Sequence, residues 1–497
     1  MVITHGAGAV SDRKAPYYDV IVIGAGVVGS LLARELSRYA LRILLVDKAW
    51  DVGDGTTKAN TAIVHAGYDA KPGSLKAALN VRGNSLYDEL CDELDVGFQR
   101  CGTYVVATSE AERLTLEELI ARGRANGVPG LDLVAGESLR NREPALATDA
   151  CVALYARTGG MVDPFGLCVG AAENAVNNGV ELRLGTEVIG LQRERDRVSG
   201  VVTRSGAIRA RWTVIAAGLW ADELMNEAGL EGPRITPRRG EYFVLDKVAA
   251  ACVQGIYFPC PTPLSKGILV TRTVHGNVLV GPNAESIADK DDLRTTRSGL
   301  EEVWAGARRL FPDLNRGHVI RTFAGLRASG SVGDFVIEAP TERPGLVVLA
   351  GIESPGLTAS PAIAEYVVGL LREAGLELNP RADFSPRRRA IPRFGECGRE
   401  EREALIAADA RYGRVVCRCE SVTEAEVAAA CRAAIPARTY DAIKRRTRVG
   451  TGRCQGAFDL PKVIEIMSRE LGVEPRYVNK AGPGSRFLCR GTKEVSG

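Results

Sequence analysis

The stretch Tyr18-Asp19-Val20-Ile21-Val22-Ile23-Gly24-Ala25-Gly26-Val27-Val28-Gly29 decides how this chain begins to fold. Its first six residues read as a strand, the glycines as a turn, and Val27 to Tyr39 as a helix. A second strand, Arg42 to Val46, ends at Asp47, which completes β-α-β within about thirty residues, as a mononucleotide-binding unit requires. Gly24 permits the tight turn, Gly26 lets backbone approach a pyrophosphate, and Gly29 allows close helix-strand packing. The helix N-terminus attracts the phosphates, and Asp47 holds the adenosine ribose. Context carries this reading: the glycine-rich stretch His5 to Ser11 has no strand before it and is rejected as a nucleotide loop.

FAD is favoured over NAD by a second junction, Gly351-Ile352-Glu353-Ser354-Pro355-Gly356-Leu357-Thr358, which follows an apolar strand, Gly345 to Ala350. Ser360 is the expected N-cap of the next helix and Pro361 its first residue. A helix start there can face a flavin ring and stabilise negative charge developing near N1 and the C2 carbonyl. A routine capped loop is the plainer reading. No second strand-backed G-x-G-x-x-G exists, so direct NAD reduction is not expected.

At 497 residues, with 45% hydrophobic and 25% charged residues, the chain reads as a globular protein of two or three domains. No apolar run approaches the ~20 residues of a spanning helix, and residues 1 to 17 lack the apolar core of a secretory signal. A cytoplasmic location is expected, with peripheral membrane attachment left open. The twelve cysteines then read as free thiols or metal ligands. From Arg381 onward 24 Lys and Arg face 15 Asp and Glu, a surplus of nine against a deficit of six before it. No aromatic interleaving or recognition motif accompanies that surplus, so nucleic acid is not an expected partner.

Periodicity weakens between Pro380 and Gly413, where Arg387-Arg388-Arg389 lies between Pro386 and Pro392. A domain boundary is expected there. Beyond it, Thr423 and Glu426 form a capping-box signature ahead of a helical run from Ala425 to Ala433.

Taken together with Lys58 to Tyr68, Lys71-Pro72-Gly73-Ser74-Leu75-Lys76-Ala77, Arg239-Gly240-Glu241-Tyr242, Phe323-Ala324-Gly325-Leu326-Arg327 and Ser354 to Ala362, the chain resembles the glycine oxidase and D-amino acid oxidase superfamily of flavoproteins. More narrowly it is similar to the flavoprotein component of anaerobic glycerol-3-phosphate dehydrogenase and to L-2-hydroxyglutarate oxidase, over nearly all of residues 18 to 475. The resemblance implies an α/β fold: a Rossmann-like FAD-binding domain, an interleaved mixed-sheet substrate domain, and a small C-terminal helical iron-sulfur module. FAD-binding parts are expected at about 18–90, 150–225 and 320–378, and substrate-domain parts at about 91–149 and 226–319. A linker at 379–412, a module at 413–475 and a tail at 476–497 complete the division.

The resemblance extends the flavin contacts to Lys48, Thr56, Thr57, Val188, Ala217 and Gly218. At the second junction it adds Gly351, Pro355, Gly356, Leu357 and Thr358. It places Ala62 to Gly67 beside the flavin ring, which makes His65 the candidate acceptor of the substrate hydroxyl proton; imidazole titrates near neutrality. A buried histidine satisfied by backbone is the competing reading. Arg327 is placed at the substrate's acidic group, where a guanidinium grips carboxylate or phosphate with two hydrogen bonds. Tyr242 would hydrogen-bond the substrate oxygen, with core packing as its alternative. Lys76 and Arg239 are further candidate anion contacts. His5, His275 and His318 have no comparable context.

Cys417-Arg418-Cys419 and Cys454-Gln455-Gly456 resemble the bacterioferritin-associated-ferredoxin type of module, which binds a [2Fe-2S] cluster with four thiolates. Relatives read Cys-Gln-Gly-x-x-Cys at the second position, but this chain reads Cys454-Gln455-Gly456-Ala457-Phe458-Asp459. Asp459 therefore stands where the fourth cysteine is expected. Open alternatives are a lost cluster, Cys431 as substitute, or zinc held by three thiolates and a carboxylate.

The resulting expectation is a dehydrogenase that oxidises a small anionic secondary alcohol, sn-glycerol 3-phosphate or a 2-hydroxy acid such as L-2-hydroxyglutarate. Electrons would leave through the cluster to a partner subunit. The rivals are an amino-acid or imino-acid oxidase and a non-catalytic electron-transfer subunit, because one flavin fold hosts several chemistries.

Overall fold

The structure, a computed structural model, describes residues 17–261 and 267–491; the His5 to Ser11 stretch lies outside them. Its first elements are β1 (Tyr17–Ile23), α1 (Val27–Leu36) and β2 (Ile43–Val46). α1 ends three residues before the expected Tyr39, where the Ser37 hydroxyl turns back to donate to the Arg34 carbonyl at 2.7 Å. α2 (Leu75–Leu94) and α3 (Pro164–Asn177) follow, and β3 (Gly206–Ile215) returns to pair in parallel with β1 on the side opposite β2. Further along come β4 (Ile235–Leu245), β5 (Val319–Gly330), β6 (Leu346–Ala350) and α4 (Gly356–Glu373).

Eight strands form the first sheet, and β6 joins it beside the C-terminal half of β3. Helices α1, α3 and α4 cover one face, so both sides of its centre are dry. Val20 and Val22 of β1 face the helical layer while Ile21 and Ile23 face a second apolar cluster with Leu224 and Met225. This is the burial pattern of a parallel sheet covered on both faces.

The second sheet has nine strands, with β4 and β5 antiparallel from Ile235↔Gly330 to Leu245↔Val319. It recruits Val152–Ala156, which pairs with Thr103–Ala107, although residues from 150 onward are expected on the FAD side. β5 likewise pairs with β4 rather than with the first sheet. Pairing between strands far apart in the chain follows tertiary packing, which local patterns do not report.

α4 begins at Gly356, several residues before the expected Ser360 N-cap, and carries Pro361 inside it. Proline lacks the amide that would bond the Leu357 carbonyl. That carbonyl instead accepts the Tyr87 hydroxyl at 2.6 Å and the Ser360 hydroxyl at 2.7 Å, which lets the helix run through.

Residues 380–396 lie along the first domain rather than hanging free. Asn174 donates to the Ser385 carbonyl, Arg388 pairs with Glu173 at 2.7 Å, and Arg393 pairs with Asp163 at 2.6 Å. An exposed helix, α5 (Arg399–Ala408), follows. The C-terminal module is built from α6 (Glu424–Arg432), α7 (Tyr440–Thr447) and α8 (Leu460–Leu471) around Val427, Ile443, Val463 and Met467. The capping box forms, with the Thr423 amide donating to Glu426 Oε2 at 2.7 Å. Residues 476–487 fold back onto it: Val478 is buried, and the Tyr440 amide donates to the Asn479 carbonyl.

Candidate active site and cluster site

A cleft of about 1690 Å³ opens between the two sheets, larger than the ~300–1,000 Å³ usual for a single small ligand. Its first end is built at the β1–α1 turn. A Cβ on Gly24, whose φ is +108°, would stand 2.4 Å from the Ala216 carbonyl oxygen; one on Gly29 would stand 1.9 Å from that of Gly24. Only glycine permits this approach of helix to strand. Gly26 lines the cleft, and Asp47 at the end of β2 accepts the Ala25 and Ala49 amides. Burial raises the Asp47 carboxyl above its ordinary range against those two amides.

The residues expected along the cofactor divide in two. Lys48, Val188, Ala217, Gly218, Pro355, Gly356 and Leu357 line the cleft, with Lys48 held 3.7 Å above the Trp220 ring. Thr56 and Thr57 line it too, yet their hydroxyls are engaged: Thr56 donates to the Leu326 carbonyl, and Thr57 accepts the Val27 amide at the start of α1. Gly351 and Thr358 do not line it. Gly351 makes the turn out of β6 at φ +67°, and Thr358 is fully buried.

Thr358 has a different task. Its hydroxyl accepts the His65 amide at 2.9 Å and donates to the Ile63 carbonyl, while the Asn84 amide donates to the His65 carbonyl at 2.9 Å. The first turn of α4 thus fixes the His65 backbone. The imidazole lines the cleft with its centroid 6.0 Å from that of Phe258.

Across the cleft, β4 and β5 present Tyr242 and Arg327. Tyr242 stacks on Phe323 at 4.5 Å, and burial raises its hydroxyl pKa. The Arg327 guanidinium donates to the carbonyls of Arg238, Arg239 and Asn283 and, among the described residues, pairs with no carboxylate. Burial lowers its pKa, and the nearby Arg238 charge adds to that.

Of the two further anion contacts expected, Arg239 does not reach the cleft and Lys76 does. Arg239 points away from the cleft into an ion-pair cluster with Glu285 at 2.5 Å, Asp292 at 3.1 Å and Glu241 at 3.7 Å. Side chains alternate along a strand, so Arg238 and Tyr242 share the cleft face while Arg239 and Glu241 take the other. Arg238 is the residue that sequence reasoning missed; counting two residues back from Gly240 would have found it. Lys76 reaches the cleft, but its ammonium is taken by Glu353 at 2.8 Å and the Gly333 carbonyl at 2.9 Å.

The module is anchored to the loop that follows β2. Asp51, buried in the loop that leads to Thr56, receives Arg445 at 2.7 Å and Arg446 at 2.8 Å, and Arg445 also reaches Asp54. Although burial opposes it, these two cations hold the Asp51 carboxyl below its usual range.

Within the module the four expected ligands come together as two pairs. The Cys419 and Cys454 side chains are within hydrogen-bond reach of each other, and the Cys417 thiol lies against the Asp459 carboxyl. Burial pushes the Cys417 thiol up to about 11. At Cys454 burial is outweighed by the Gly456 and Phe458 amides, which hold the thiol below its ordinary value. Backbone amides aimed at sulfur suit a thiolate-ligated cluster. Among the described residues no three His, Cys, Asp or Glu side chains converge on one point. Burial pushes the Cys431 thiol up to about 12.

Comparison with known proteins matches this arrangement. Residues 19–370 fit the family description "FAD dependent oxidoreductase", and residues 415–469 fit "BFD-like [2Fe-2S] binding domain". The chain is 45% identical over 476 residues to a glycerol 3-phosphate dehydrogenase of Caloramator mitchellensis, covering 96% of this chain and 99% of that one. It is 31% identical over 416 residues to the mitochondrial L-2-hydroxyglutarate dehydrogenase of Arabidopsis thaliana, covering 73% and 85%. Among solved structures it resembles dithionite-reduced L-α-glycerophosphate oxidase from Mycoplasma pneumoniae with FAD bound. The TM-score is 0.71 at 30% identity, over 75% of this chain and 98% of that one. This chain therefore belongs to the FAD-dependent oxidoreductase family, as an enzyme that binds FAD and carries a BFD-like [2Fe-2S] domain after it.

Proposed function

We propose that this enzyme oxidises sn-glycerol 3-phosphate at its secondary alcohol and delivers the electrons to a separate carrier protein. The observation that carries this reading is the pair Arg238 and Arg327, two adjacent guanidinium groups on the cleft with no carboxylate partner among the described residues. Adjacent like charges repel, and a phosphate dianion relieves both at once through charge-assisted hydrogen bonds. The 45% identity to a glycerol 3-phosphate dehydrogenase along nearly the whole chain supports the same substrate.

FAD held along the β1–α1 turn and the start of α4 would supply a two-electron acceptor for the carbinol hydride, and a [2Fe-2S] cluster held by Cys417, Cys419 and Cys454 would supply one-electron transfer. The chain's own residues do the rest. Arg238 and Arg327 hold the phosphate at one end of the substrate, and His65 takes the hydroxyl proton as the C–H bond breaks. Tyr242 orients the oxygen that becomes the ketone, and the Thr358 clamp holds the His65 backbone in register with α4. Among the described residues no helix is long and apolar enough to cross a membrane.

A 2-hydroxy dicarboxylate is the second reading, favoured by the similarity to L-2-hydroxyglutarate dehydrogenase. It loses one support, because Lys76 is already neutralised by Glu353. Anaerobic titration of the holoenzyme with glycerol 3-phosphate, L-2-hydroxyglutarate, glycine and proline separates these readings. Bleaching of the flavin band by glycerol 3-phosphate at the lowest concentration is expected; bleaching by amino acids alone overturns the alcohol reading.

A further inference from the structure

Asp459 opens α8, where an aspartate ordinarily caps the first turn by accepting its amides. It does not do so here: its backbone is already helical at φ −93°, ψ −24°, and its side chain makes no capping bond. The carboxyl is instead buried, 1% exposed, against the Cys417 thiol. Oδ1 accepts the Tyr440 hydroxyl at 2.9 Å, while Oδ2 is buried and, among the described residues, has no hydrogen-bond partner. A carboxylate oxygen so placed is costly unless something electropositive meets it.

The loop carrying Cys454 is shaped around this contact. A Cβ on Gly450 would stand 2.3 Å from the Tyr440 hydroxyl oxygen and one on Gly456 2.6 Å, and both glycines take positive φ. The two glycines thus leave the hydroxyl room to reach Asp459. Two pairs, Cys419 with Cys454 and Cys417 with Asp459, match the need of two iron atoms for two protein ligands apiece.

We propose that Asp459 is the fourth protein ligand of the [2Fe-2S] cluster through Oδ2, and that Tyr440 is its positioning residue through the hydrogen bond to Oδ1. A carboxylate is a harder ligand than a thiolate and favours ferric iron, which lowers the cluster's reduction potential. The Tyr440 hydrogen bond withdraws charge from that carboxylate and moves the potential part of the way back.

The test uses the anaerobically purified full chain and is independent of substrate. Iron and acid-labile sulfide are measured per flavin, with the electron paramagnetic resonance spectrum and midpoint potential of the dithionite-reduced cluster. Two irons and two sulfides per flavin are expected in the parent protein, and their absence overturns the proposal. Asp459→Cys is expected to keep iron and flavin content, change the spectrum and raise the potential; an unchanged spectrum and potential overturn ligation by Asp459. Asp459→Ala is expected to lower iron content at least twofold at constant flavin content, and full retention with the parent spectrum overturns it. Tyr440→Phe is expected to keep iron and lower the potential, and an unchanged potential removes Tyr440 from the proposal.

Discussion

Arg238 and Arg327 stand opposite each other in the β4–β5 ladder, both line the cleft, and among the described residues neither forms an ion pair with a carboxylate. Arg239, one residue along, is committed to Glu285, Asp292 and Glu241 on the far face. Replacing the two neighbours therefore has opposite signatures. Arg238→Ala should raise KM for glycerol 3-phosphate ~10- to 100-fold, the worth of a charged hydrogen bond, with little change in melting temperature. Arg239→Ala should leave KM nearly unchanged and cost about 3 kcal/mol of stability, because buried Glu241 loses its cation and keeps only the Thr296 amide and hydroxyl. Steady-state kinetics and thermal melts of both variants check the assignment.

His65→Gln removes the proposed proton acceptor while leaving the backbone clamp from Thr358 and Asn84 intact. The rate of anaerobic flavin reduction by substrate should fall ~10²- to 10⁴-fold, with substrate affinity changed far less. An affinity loss that matches the rate loss would assign His65 to binding instead.

Gly29→Ala places a methyl 1.9 Å from the Gly24 carbonyl oxygen, whereas a methyl at Gly55 meets nothing within 4 Å. The first variant should purify with flavin largely absent, and the second with flavin retained. The flavin-to-protein absorbance ratio decides.

Asp51→Asn leaves Arg445 and Arg446 buried beside a neutral side chain. Breaking a buried ion pair on one side costs about 3–5 kcal/mol. Because Asp51 lies in the loop that also holds Thr56 and Thr57, faster flavin release and faster proteolytic cutting between residues 380 and 412 are expected together. Release kinetics and limited proteolysis report each arm.

Asp163 accepts the Phe165 and Gly166 amides through Oδ1 and meets Arg393 at 2.6 Å and His275 at 3.3 Å through Oδ2. Burial opposes ionisation, but His275 and Arg393 hold its pKa far below the ordinary carboxylate range. A depressed folded pKa stabilises above the unfolded value, near ~4, and that contribution fades as pH falls below it. Asparagine keeps the helix cap and loses the ion pairs. The stability gap between parent and Asp163→Asn should be full at pH ~7 and shrink below pH ~4, as followed by denaturant melts across pH.

Much of the site is legible without tertiary information. The β-α-β unit and the capping box at Thr423 are local: a few consecutive residues set their dihedrals and hydrogen bonds, so residue type and spacing report them. The motif points to Arg239 where the cleft holds Arg238, because a motif names neighbours equally while a strand sends them to opposite faces. The start of α4 escapes local reading because the acceptor left open by Pro361 is filled by Tyr87, 270 residues away in sequence.

The amino-acid sequence by itself determined the nucleotide-binding β-α-β unit, because Gly24 and Gly29 stand where only glycine fits, while the choice of FAD rested on the Gly351 to Thr358 junction and the further motifs that carry the family resemblance. Tertiary structure alone decided which charges are available. Lys76 and Arg239 are neutralised by Glu353, Glu285 and Asp292, whereas Arg238 and Arg327 remain open to the cleft and Asp459 Oδ2 stays unpartnered in its module. Whether a charge is spent or free depends on which distant segment folds beside it, and no local pattern records that.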